Sequence, residues 1–128
     1  MTTESLSIRR ILYANAIFSG LSGLIFTFAP KSIATFLGIA SSSVIILTLG
    51  IGLIGYAALI YAYAKRSTIP TGFVLFAIIG DSLWVLGSIL LLVMNWVPFT
   101  VAGKWAIGLV AVIIDLFATL QFFEWRKM

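Results

Sequence analysis

Four stretches of this chain, residues 11–29, 44–64, 72–94 and 105–123, are long, apolar and nearly free of charge. Each is close to the ~20 residues that a helix needs to cross the ~30 Å hydrocarbon core of a bilayer. Composition argues against a water-facing alternative. Of the 128 residues, 62% are hydrophobic and 9% are charged, whereas a soluble domain carries about 25% charged residues. In hydrocarbon the backbone has no water to bond, so a spanning segment must satisfy its own N–H and C=O groups, as a helix does. The predicted fold is all-α: one domain over residues 1–128, whose four transmembrane helices form an antiparallel bundle because their connections are short.

The connections carry further signals. Residues 1–10 form a polar leader in which Ser5 and Ile8 make an incomplete helix start. Arg9 and Arg10 followed by an apolar run imitate a signal peptide. The run outlasts the ~7–15 residues of a signal core, however, and Pro30 closes it, so a retained helix is expected. Ile33, Phe36 and Leu37 then recur at helical spacing until Gly38 and Ser41, Ser42 and Ser43 interrupt them. This predicts a short interfacial helix between the first and second spans. Lys65 to Pro70 is a tight basic turn, and residues 95–100 join the last two spans.

Arg9, Arg10, Lys65, Arg66, Arg126 and Lys127 sit at one set of helix ends, and only Lys31 and Lys104 at the other. The positive-inside rule then places both termini in the cytoplasm, for a multi-pass protein of the plasma (inner) membrane. Trp96, Trp105 and Trp125 occupy interfacial belt positions. The net charge of +4 is therefore a topology signal. It lacks the clustering of a nucleic-acid footprint, and no nucleic-acid partner is expected.

Much chemistry is excluded by residue type. With no cysteine there is no disulfide or thiolate metal site. With no histidine the commonest metal ligand and proton shuttle is missing. No lysine lies mid-helix to form a Schiff base. Gly-rich phosphate loops and nucleophile elbows are absent. The expectation is a non-enzymatic protein without cofactor or metal.

What remains is a set of polar residues inside the apolar runs. Asn15, Ser19 and Ser22 share a face of the first helix, and Ser19 with Gly23 gives a small-xxx-small step for close helix contact. Thr48, Gly52 and Gly55 give the second helix a narrow face with Tyr56 beside it. Asp81, Trp84 and Ser88 share a face of the third helix; Gly108, Ala111, Asp115 and Thr119 share one of the fourth. A rise of ~1.5 Å per residue puts Asn15 roughly 9 Å, Asp81 roughly 16 Å and Asp115 roughly 14 Å from their helix ends, in one layer. The candidate site is thus Asp81, Asp115, Asn15, Ser19, Trp84, Ser88 and Thr119, with neighbouring helices sheltering both acids.

Acids at this depth are costly and mark function or deliberate packing. Two adjacent carboxylates could not both be ionised cheaply at low dielectric. One reading is interhelical polar glue, at about 0.6–2 kcal/mol per hydrogen bond. The other is a proton or cation site.

The motifs Asn15-Ala16-x-Phe18-Ser19-Gly20-x-Ser22-Gly23, Gly80-Asp81-x-x-Trp84-Val85-Leu86 and Asp115-Leu116-Phe117-Ala118-x-Leu120-Gln121 span most of the chain. In these the chain resembles small bacterial four-helix integral membrane proteins without an assigned activity. The resemblance implies a fold and a membrane location. Small multidrug-resistance transporters have a similar length and helix count, but their hallmark is a glutamate in the first helix, where this chain has Asn15 and no acid. The expected partners are the lipid bilayer and a second copy, another membrane protein or a lipophilic ligand. The rival expectation is a small proton- or cation-coupled transporter using the aspartate pair.

Overall fold

The computed structural model describes residues 3–128, with side chains from Ile8 onward. Met1, Thr2 and the side chain of Ser5, which the sequence offered as part of a helix start, lie outside the described residues. All regular structure among the described residues is helical: α1 (Thr3–Phe28), α2 (Pro30–Leu37), α3 (Ser43–Ala64), α4 (Thr71–Val93) and α5 (Val101–Lys127), with a 3-10 turn at Ala40–Ser42. The four long helices, α1, α3, α4 and α5, are long and apolar enough to cross a membrane. Helix α5 begins earlier than the apolar run because Thr100 caps it, its hydroxyl accepting the Gly103 N–H at 2.9 Å.

The short helix α2 starts with Pro30, whose fixed φ suits a first turn. It ends at Gly38 in the left-handed conformation, φ 87°. There the Gly38 and Ile39 N–H groups return to the carbonyls of Thr35 and Ala34 at 3.0 and 2.8 Å. Glycine is required twice over, since a Cβ would also lie 3.0 Å from the Pro98 carbonyl. Thr100 donates its N–H to Leu37 O at 2.9 Å and its hydroxyl to Phe36 O at 2.6 Å. Helix α2 thus ties the α1–α3 connection to the start of α5 at one end of the bundle.

The spans form two hairpins. In α1–α3, Gly23 meets Gly50 and Ile54 while Gly20 meets Ala57, an antiparallel register. The backbones are so close that a Cβ on Gly23 would lie 2.8 Å from Gly50 O, and one on Gly50 2.8 Å from Thr27 N. In α4–α5 the helices again run antiparallel, with Gly108 near Leu92. Contacts between α1 and α5 join the hairpins, with Phe18 on Phe117 at 5.9 Å. Helices α3 and α4 meet through side chains instead, Tyr63 stacking on Phe73 at 4.1 Å.

A buried apolar cluster lies toward the termini and includes Ile8, Leu12, Ile60 and Val74, all fully buried. There the Arg9 guanidinium donates to the carbonyls of Ala64 and Arg66, fastening α1 to the α3–α4 turn.

Candidate functional site

All four spans converge on one carboxylate. Asp81 of α4 is 4% exposed. Its Oδ2 accepts from Asn15 Nδ2 of α1 at 2.8 Å and from Gln121 Nε2 of α5 at 3.0 Å. Its Oδ1 accepts from the Tyr56 hydroxyl of α3 at 2.9 Å. The amides also bond each other, Asn15 Nδ2 donating to Gln121 Oε1 at 2.9 Å. Ser19 closes the network by donating to Asn15 Oδ1 at 3.1 Å. Asn15 and Gln121 are 1% and 0% exposed, so each would be costly to bury unpaired. Here every polar atom of the two amides and the carboxylate finds a partner. Three neutral donors face the carboxylate, and no lysine or arginine takes part.

The structure gathers Asp81, Asn15 and Ser19 and separates the other expected residues. Trp84 is half-buried beside the cluster, and Ser88 is buried but donates back to Trp84 O at 2.8 Å within its own helix. Asp115 and Thr119 are exposed on α5, and none of the cluster's hydrogen bonds involves Asp115. The expectation that neighbouring helices shelter both acids therefore holds for Asp81 and fails for Asp115. The inward face of α5 is Ala111, Ile114, Ala118 and Gln121, one residue's rotation from the face the sequence suggested. The depth estimate erred for the same helix, because α5 continues to Lys127. Gln121 is level with Asn15, and Asp115 lies about 9 Å farther along the axis.

Gln121 and the participation of Tyr56 were not anticipated. The signal for Gln121 was its place in the Ala111, Ile114, Ala118, Gln121 series, where small residues mark the contacting face. The signal for Tyr56 was the spacing Thr48, Gly52, Tyr56, a line of every fourth residue along α3.

That line forms one wall of a slot of about 320 Å³ between α3 and α4. Phe76, Gly80 and Trp84 form the opposite wall, again at every fourth residue. Because the helices are antiparallel, Tyr56 faces Phe76, with ring centroids 6.3 Å apart, and the two glycines fall at the middle of the facing lines. Gly52, expected to be a helix-packing residue, has nothing within 4 Å of a Cβ position. Gly80 has the Tyr56 ring and hydroxyl as its nearest neighbours, at 3.4 Å or more. Ser19, Asp81 and Ile114 form the back of the slot. Its exposed lining is predominantly apolar, since the polar groups behind it are spent on one another.

This site can hold an apolar body in a groove open along the side of the bundle. Among the described residues no group of histidine, cysteine or acidic side chains could hold a metal ion. No family model, curated protein or solved structure matches the chain.

Proposed function

We propose that this is a non-enzymatic multi-pass membrane protein that receives a lipophilic ligand, in the form of an acyl chain, in the slot between α3 and α4. The observation that carries the reading is the pair of facing glycines, Gly52 and Gly80, which leave a recess where two consecutive spans would otherwise interlock. The apolar lining favours hydrocarbon over a polar solute. Self-association is the weaker use of the small-residue faces, because the tight pair, Gly23 and Gly50, is already consumed within the chain. A carrier built on two acids is weaker still, with Asp81 enclosed and Asp115 outside its network. The placement that goes with this reading is the plasma (inner) membrane with both termini cytoplasmic, from the basic residues at their end of the bundle.

Trp84 on the slot wall gives the test. The full chain, with Trp96, Trp105 and Trp125 changed to phenylalanine, is reconstituted in nanodiscs containing lipid brominated at mid-chain. Bromine entering the slot quenches Trp84. Gly52→Leu, whose Cβ meets no atom within 4 Å, fills the recess and should at least halve that quenching. Equal quenching in the two proteins would remove the proposal.

A further inference from the structure

We infer that the occupant is an acidic phospholipid, its anionic headgroup at Arg66 and one acyl chain lying along the α3–α4 seam into the slot between Gly52 and Gly80. The inference rests on the slot reading and adds the chemistry of the head.

A second cavity, of about 380 Å³, lies on the same seam nearer the termini and is lined by Leu59, Tyr63, Arg66, Pro70, Phe73 and Phe76. Phe76 lines both cavities. Phe76 is 48% exposed, and its ring packs between Tyr56 and Phe73, at 6.3 and 5.9 Å. The two hollows are thus one groove with an aromatic waist. Its chemistry changes along its length. The inner part is mostly apolar, and Asp81, the one acid among its lining residues, is enclosed by three donors. The outer part holds one charge, the Arg66 guanidinium, 5.1 Å from the centre of the Tyr63 ring.

That stacking orients the guanidinium over the groove, and a planar fork of donors suits a phosphate diester. Arg66 belongs to the α3–α4 turn, where a helix end meets the headgroup region, and from there to Gly52 the helix rises about 21 Å. A chain anchored at Arg66 therefore reaches past the bilayer midplane, which lies about 15 Å in. Lys65 in the same turn lies instead over Tyr61, 5.5 Å from its ring centre, and does not line the groove. A zwitterionic head would bring its own cation against this turn, and an unesterified fatty acid lacks the glycerol phosphate that fills the fork.

The experiment repeats the Trp84 quenching with two lipids carrying identical brominated chains, phosphatidylglycerol and phosphatidylcholine, titrated into unbrominated nanodiscs. At equal mole fraction the acidic lipid should be favoured roughly fivefold, the ratio expected of one basic residue beside an anionic lipid. Arg66→Gln should bring the ratio to near one while both lipids still quench. Equal quenching by the two lipids in the parent protein, or a ratio unchanged by Arg66→Gln, overturns the inference. So does stronger quenching by the brominated free fatty acid. In each of these cases loss of quenching in Gly52→Leu still upholds the slot. If Gly52→Leu changes nothing for any lipid, the slot reading itself has failed. Should the tryptophan-depleted chain not fold, native mass spectrometry of the parent protein and Arg66→Gln, counting retained phosphatidylglycerol against phosphatidylcholine, gives the same decision.

Discussion

Replacing Asp81 by asparagine keeps the side chain's size but turns one of its two acceptors into a donor. Asn15 Nδ2, Gln121 Nε2 and the Tyr56 hydroxyl all donate to that carboxylate, so a new Nδ2 turned toward the two amides faces donors, and one turned toward Tyr56 makes that hydroxyl accept and donate instead to Ala77 O, 3.3 Å away. Either way the network exchanges strong bonds to a carboxylate for weaker neutral ones, at about 1 kcal/mol each, and Asp81→Asn should lower the stability of the purified protein in micelles by about 1–3 kcal/mol. Asp115→Asn, on a side of α5 that faces away from the bundle at mid-span, removes a carboxyl from an apolar medium and should leave stability unchanged or raise it. Equal losses in a denaturant titration would mean that the network around Asp81 does not organise the bundle. The sequence could mark Asp81, Asn15 and Ser19 as unusual because polarity in an apolar run is visible residue by residue. It did not separate Asp81 from Asp115. Both sit mid-span, and only the rotation of each helix about its axis decides which one meets its neighbours. In α5 almost every face is apolar, so hydropathy carries little information on that rotation. The small residues Ala111 and Ala118 carried it, and Gln121 followed from them.

Element positions were more legible than element contacts. The limits of α3 and α4 fall within a residue of the apolar runs, because a helix in hydrocarbon must persist across the whole core. The limits of α5 were missed by several residues, since its start is set by the Thr100 cap and its end by a charged, still helical tail. Glycines were the ambiguous residues. Gly23 and Gly52 both read as packing positions, yet the structure packs Gly23 against Gly50, which the sequence did not single out, and leaves Gly52 open. A Cβ at Gly50 would meet Phe26 Cβ at 2.7 Å and backbone at 2.8 Å, whereas one at Gly52 meets nothing. Gly50→Ala should therefore cost about 1–3 kcal/mol by forcing α1 and α3 apart. Gly52→Ala should be neutral or stabilising, by up to about 1 kcal/mol, from helix propensity alone. Comparing unfolding midpoints of the two variants checks this, and a reversed order would reject the assigned α1–α3 contact.

At the scale of the molecule, four spans place both termini at one end of the bundle. The orientation proposed above predicts that reporters fused to either terminus are active only in forms that need the cytoplasm. An export-dependent reporter working at either end would contradict it. The hairpins are held together at three levels: Arg9 to the α3–α4 turn, the Asp81 network in the middle, and Thr100 to α2 at the far end. The two outer fastenings share no partner and lie at opposite ends of the bundle, so their contributions should add. Thr100→Val removes a helix cap and a bond to Phe36 O, about 1 kcal/mol. Arg9→Gln weakens the other end independently. The double variant should lose the sum of the two single losses to within about 0.5 kcal/mol. Asn15→Ala combined with Tyr56→Phe should depart from additivity by more than that, because both side chains bond the same carboxylate. If the end pair couples as strongly as the central pair, the bundle is a single cooperative clamp rather than two hairpins pinned through Asp81. The open α3–α4 seam would then need another cause, since its present explanation is that side chains alone, the Tyr63–Phe73 stack, Tyr56 and the aromatic waist, bridge helices whose closer backbone attachments lie elsewhere.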